Sequence, residues 1–193
     1  MALRPQEIRN TIITRFARWA AASAARRCPD LRDSKEWYEH LDRVDLAGLL
    51  TMRPPVSSAA FLGWHQREVE GLARRAGVQI GWAAKTVNML LKMHVYIAGR
   101  GDPSLLAVIH PPIDNDLVDA IRREFPKNDS HHPQNREIRK KCDLGKPISD
   151  VTSYAQYSEV IAGLILASER LGCTLFEIES LWANAGSSTD VVR

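Results

Sequence analysis

Apolar residues along this chain recur mostly at three- and four-residue intervals, the spacing of one face of an α-helix. Residues 4–27 place Ile8, Ile12, Phe16 and Trp19 in that register, with arginines over much of the other face. Pro29 ends this first helix. Ser34 can cap a second, which carries Trp37, Leu41, Val44 and Leu49 as far as Met52, before Pro54-Pro55 breaks the pattern. Ser57 or Ser58 can start a third, with Phe61, Leu62, Val69 and Leu72, and Gly77 is a typical C-terminal cap for it. A fourth helix runs from about Ile80 to Ala98 and stops at Gly99. Val87, Met89, Leu90, Leu91, Met93, Val95 and Ile97 go nearly all round it, the pattern of a central, buried helix.

Beyond Gly99 the pattern is less regular. Leu105 to His110 is short and apolar and fits a helical turn or a strand. Asp114 opens a helix through Leu117, Val118, Ile121 and Phe125. Residues 126–148 read as a long polar, basic loop, and loops of that length are usually functional or disordered. Thr152 or Ser153 starts a helix to Leu171, with Val160, Leu164 and Ile165 inward and Gly172 ending it. Thr174-Leu175-Phe176-Glu177 is a capping box for a last helix holding Ile178, Leu181 and Trp182. The tail from Gly186 is expected to fray. The expected fold is all-α, a single compact helical domain over residues 1–193, with little β-structure and no internal repeat.

Charge adds a direction. The net charge is only +3, yet residues 1–32 hold seven arginines against Glu7 and Asp30. Arg122, Arg123, Lys127, Arg136, Arg139, Lys140, Lys141 and Lys146 form a second basic segment. Two such segments on a nearly neutral body suit a polyanion-binding face, although charge alone favours a solvated surface. Cys28, Cys142 and Cys173 are odd in number and widely spaced, so no disulfide framework is expected and a reducing cytoplasm is. No apolar run of about 18 residues predicts a membrane span, and the arginines near the start interrupt any signal-peptide pattern.

The candidate chemistry lies in the central helix. Lys85 and Lys92 sit in its apolar run, seven residues apart and on roughly one face. Such lysines usually snorkel, with the stem packed and the amine in water. A partly buried amine can instead attack an electrophilic carbon and form a Schiff base. Asp114 comes after Pro111-Pro112-Ile113 at a helix start, where aspartate is an ordinary N-cap. A cap also fixes the rotamer and sets the carboxylate at the positive end of the helix dipole. An anchored carboxylate can activate water or stabilise an oxocarbenium-like centre. Asp116 is the rival carboxylate and reads as first-turn helix charge.

Lys85-Thr86, Lys92-Met93 and Tyr96, and then Pro112-Ile113-Asp114, resemble the archaeal 8-oxoguanine DNA glycosylases of the helix-hairpin-helix superfamily. The chain is also similar in outline to small bacterial glycosylases that attack modified bases in phage DNA. The resemblance covers about 45 residues of the chain. It implies a helix-hairpin-helix glycosylase-like arrangement, a flipped base, attack at C1′ and a Lys/Asp active site. The superfamily hairpin usually has a tight Gly-x-Gly turn, whereas this chain has the looser Gly77-Val78-Gln79-Ile80-Gly81. Gly77 and Gly81 can still let helix-start amides approach a phosphate.

A flipped base needs flat or apolar neighbours, and Trp64, Trp82, Tyr96 and Trp182 are the candidates, each also a natural core residue. Arg136, Arg139, Lys140 and Lys141 are suitable phosphate contacts. His131-His132 with Cys142 or His110 fits no standard zinc spacing, so no metal and no cofactor are expected. The expected protein is a cytoplasmic, monomeric DNA glycosylase acting on duplex DNA with a modified or damaged base and making no membrane contact. The alternative is a non-catalytic helical module binding DNA or protein, with Lys85 and Asp114 as a structural ion pair and cap.

Overall fold

Helix α5, Ile80–Leu91, is the axis on which the rest is packed. Ile80, Trp82, Ala83, Ala84, Val87, Leu90 and Leu91 are all buried, as an all-round apolar sequence requires. The computed structural model describes residues 4–31, 33–128, 132–142 and 148–183. It is one compact domain, 71% helical, with no strand among the described residues.

Helix α1 (Pro5–Ala24) packs against α5 and differs from the expected orientation. Its inward face is alanine: Ala17, Ala21 and Ala25 are fully buried. Ile8, Ile12, Phe16 and Trp19 face outward. Small side chains let two helix backbones come close along their length, so the alanine stripe takes the contact and the bulky stripe is left outside.

The single helix expected from Ser34 to Met52 is two: α2 (Ser34–Leu41) and α3 (Leu46–Leu50). Each has its own aspartate cap. Asp33, one residue before Ser34, accepts from the Lys35 amide at 2.7 Å, and Asp45 accepts from Gly48 at 2.8 Å. An aspartate inside a helical run competes for backbone amides, and here Asp45 starts a new helix. Helix α4 (Ser58–Ala76) is capped by Ser57 and ends at Gly77, whose φ of 66° is left-handed. Three residues, 77–79, then join α4 to α5, and the two helices pack on each other.

At Lys92 the α-helical ladder of α5 widens into a π-helical segment, Lys92–Ile97. A single π turn of this kind is rare and is often found at functional sites. Pro103–Ala107 forms a 3₁₀ turn, capped by Asp102. Helix α6 (Asn115–Glu124) starts at Asp114 as expected.

The stretch expected as a loop over 126–148 contains helix α7, Gln134–Cys142. Its apolar face is only Ile138 and Cys142, both buried, which is too short a pattern to register as helical periodicity. α7 packs on α8 (Tyr154–Leu171) where Gly163 lets the backbones meet. A Cβ there would lie 2.5 Å from Cys142 Sγ and 3.0 Å from the Cys142 nitrogen. Ser153 and Gln156 make the capping box of α8, and Gly172 ends it at φ 66°. Along α8, Val160 and Leu164 are buried, whereas Ile165 is partly exposed. Thr174 and Glu177 exchange the expected capping bonds, but they open only a 3₁₀ turn (Glu177–Glu179) and the short α9 (Ser180–Ala183). The tail from Gly186 lies outside the described residues.

Candidate active site

Asp114 divides its two oxygens between two tasks. Oδ1 accepts from the Leu117 amide at 3.0 Å, the N-cap bond of α6. Oδ2 faces Lys85 Nζ at 3.4 Å. The cap holds the carboxylate rotamer, so the oxygen turned to Lys85 is fixed without further support. The Lys85 side chain is 15% exposed and that of Asp114 is 25% exposed, so both are half-sheltered but open on one side. Trp82, one turn before Lys85, sets its ring 5.8 Å from the ammonium. That ring is buried, and its indole N–H has no partner among the described residues.

Behind this pair lies a buried polar chain that the sequence pattern does not announce. Asn88, one turn past Lys85, donates its side-chain amide to the Pro111 carbonyl and to the Tyr157 hydroxyl, both at 2.9 Å. Its oxygen is 2.8 Å from His65 Nε2, and His65 Nδ1 is 2.7 Å from the Tyr154 hydroxyl. His110 Nδ1 is 2.9 Å from the Tyr157 hydroxyl. The donors assign themselves. Asn88 uses both amide hydrogens outward, so its oxygen accepts from His65 Nε2–H. His65 Nδ1 then accepts from Tyr154, and His110 Nδ1 accepts from Tyr157. Each of these bonds is formed with both imidazoles neutral.

Burial explains the same protonation. It pushes His65 down to about 4 against a lesser opposing effect from Asn88. Burial pushes His110 well below the ordinary imidazole range, and neighbouring His65 adds to it. Burial raises both Tyr154 and Tyr157, so both remain hydroxyl donors. The signal available in the sequence was the polar type of His65 and Asn88 at inward positions of apolar helices, where a buried polar group must find partners.

Lys92 is elsewhere. Its amine donates to Glu179 at 2.5 Å, so of the two lysines Lys85 alone is paired with Asp114. Asp116 is exposed on the first turn of α6. Trp64 is buried and its indole donates to the Asp45 carbonyl at 2.9 Å, a core position. Tyr96 is partly exposed and stacks on Phe176 with ring centroids 4.5 Å apart. Together with Lys92, Glu179 and Ser180 they line a cleft of about 260 Å³. Trp182 belongs to α9, and its side chain lies outside the described residues.

No family model matches this chain, and no curated protein or solved structure matches it.

The hairpin glycines have structural duties. A Cβ on Gly81 would stand 1.8 Å from the Ile148 carbonyl oxygen, and the Gly81 amide donates to the Val151 carbonyl at 3.0 Å. That amide is therefore engaged inside the protein and does not offer itself to a phosphate. Gly77 closes α4 and has open space where a Cβ would stand.

The basic residues of α7 diverge. Arg136 and Lys140 are exposed. Arg139 donates to the Arg122 carbonyl at 2.8 Å, and Lys141 pairs with Glu159 at 3.1 Å. Among the described residues no group of three or more His, Cys, Asp and Glu side chains is placed to hold a metal, and His131 lies outside them. Arg100-Gly101-Asp102 is structural. Arg100 donates to His94 at 2.7 Å, and Asp102 caps the 3₁₀ turn.

Proposed function

We propose that this chain is a DNA glycosylase that flips out and excises a modified or damaged base. The observation that carries the reading is the fixed approach of Lys85 Nζ to Asp114 Oδ2 at 3.4 Å, with the other Asp114 oxygen held by its own helix. As the C1′–N bond breaks, positive charge grows on the sugar, and an anchored carboxylate stabilises it. Asp114 takes a proton from the Lys85 ammonium, the free amine attacks C1′, and the base leaves with the electron pair of the C1′–N bond and picks up the proton that the attacking nitrogen sheds. Opening of the sugar then leaves a Schiff base on Lys85, from which strand cleavage can proceed. In the hydrolytic variant of the same mechanism Lys85 holds a water that attacks instead.

Trp82 lies directly under the Lys85 amine, whereas Tyr96, eleven residues past Lys85, lines the separate Lys92–Glu179 cleft about 16 Å along the helix. Arg136 and Lys140 supply exposed charge for the DNA backbone. The substrate class is a repair lesion such as 8-oxoguanine or a hypermodified phage base, which makes the role DNA repair or anti-phage defence.

A panel of genomic DNAs, unmodified and phage-modified, with an 8-oxoguanine duplex beside them, tests this. Alkali-sensitive sites in one substrate are expected, and they name the base class. Duplex binding without such sites would favour the second reading. In that reading, supported by the capping bond of Asp114, the pair is structural and the domain binds without chemistry.

A further inference from the structure

Helix α1 presents its bulky apolar side chains to solvent. Ile8, Ile12, Phe16 and Trp19 are 44%, 62%, 51% and 49% exposed. At 3.6 residues per turn the four fall within an arc of about 80°, directly opposite the buried alanines. Arg9 and Arg15 stand about 60° to either side of its centre. Phe16 and Trp19 stack with ring centroids 5.4 Å apart, and the Arg26 guanidinium lies 5.8 Å from the Trp19 ring. Glu7 is the one acidic residue in the helix, and it lies off this arc with its carboxylate on the Arg4 amide. The exposed face is thus an apolar ridge about 17 Å long from Ile8 to Trp19, with arginines on both borders and, among the described residues of the helix, no carboxylate on it.

The charge decides what fits it. A second copy of the chain would set arginines against arginines on both flanks of a two-fold contact. A DNA backbone would take the arginines but offer nothing apolar to Ile12 and Phe16 at the centre. An anionic bilayer takes both, with guanidinium groups at the phosphates and the ridge in the acyl boundary. The ridge lies opposite the packed alanine face, so its four side chains can enter the interface together.

We infer that α1 is an interfacial helix that docks this protein on an anionic lipid surface. The expectation of no membrane contact rested on the lack of a spanning run. No helix among the described residues is long and apolar enough to cross a membrane, and an interfacial helix needs none. The inference is independent of the glycosylase chemistry.

Flotation with phosphatidylcholine vesicles, with and without phosphatidylglycerol, tests it on the full chain. Binding to the phosphatidylglycerol vesicles alone is expected, weakening with salt. Ile12→Glu with Phe16→Glu should cut partitioning at least about tenfold. Arg9→Gln with Arg15→Gln should cut it about fivefold per arginine. All four positions are exposed, and circular dichroism verifies that each variant keeps its helices. No flotation with anionic vesicles would overturn the proposal, as would binding that both pairs of substitutions leave unchanged. A dimer, or a duplex-DNA complex, that the ridge substitutions dissolve while vesicles bind nothing would assign the face to that partner instead.

Discussion

Asn88 donates its side-chain amide to the Pro111 carbonyl at 2.9 Å, and in doing so ties the helix that carries Lys85 to the segment that carries Asp114. Each end of this bond is three residues from a member of the pair. The distance between Lys85 and Asp114 is therefore set by a buried hydrogen bond as well as by their own attraction. Asn88→Ala leaves His65 Nε2, the Pro111 carbonyl and the Tyr157 hydroxyl without that partner, each in a dry interior. The expected cost is about 2–4 kcal/mol, seen as a fall in thermal midpoint of roughly 4–16 °C. An unchanged midpoint would mean that the amide ties nothing.

Acid should loosen the same network. The folded His65 titrates at about 4 and an unfolded histidine at 6.5, so the unfolded chain binds the proton more readily between those values. Stability is full above pH 6.5 and falls as pH drops toward 4. His65 alone contributes a loss of about 2 kcal/mol by about pH 5, and His110 adds in the same direction. Urea midpoints at about pH 7.5 and about pH 5 measure this. Equal midpoints would show that the imidazoles are not held neutral.

Two glycines are contacts rather than joints. Gly81→Ala drives a methyl into the Ile148 carbonyl, and Gly163→Ala drives one into Cys142. Each should cost about 1–3 kcal/mol through displacement of the packed neighbour. Gly77→Ala has room for its methyl but sits at positive φ, so its penalty is conformational, about 1 kcal/mol. Thermal melts of the three variants should rank Gly77→Ala as the mildest. The reverse order would contradict the close approach.

Lys85 can be caught in the act. Borohydride added during reaction with a substrate duplex should reduce the Schiff base and leave a protein–DNA adduct that maps to Lys85. Lys85→Gln should give none, whereas Lys92→Gln should still give it, because Lys92 is bound to Glu179. Excision without any adduct would assign Lys85 to holding water.

Much of the fold was legible in the sequence, and what failed has specific causes. Asp114 and Gly77 announced themselves because a cap and a left-handed terminus each demand few residue types. The closeness of Lys85 and Asp114 was not fixed by their spacing, since nothing in a linear spacing sets how two helices cross. α1 misled because it carries two usable faces, and periodicity favours bulky side chains over the alanines that pack. α7 was missed because Ile138 and Cys142 are its only buried apolar residues, too few to show a helical period. The network through Asn88 was missed because a buried polar residue is identified by its partners, and those come from α4, α8 and the segment before α6.

Asp114→Asn bears most directly on the proposed chemistry. Asparagine caps a helix as well as aspartate does, so Leu117 keeps its bond and only the charge facing Lys85 is lost. Single-turnover excision by this variant, with duplex affinity and thermal midpoint measured alongside, isolates that charge. The excision rate should fall about 10²–10³-fold, with affinity and folding close to the parent's. Excision at the parent's rate would remove Asp114 from the chemistry and leave the pair as a cap and an ion pair.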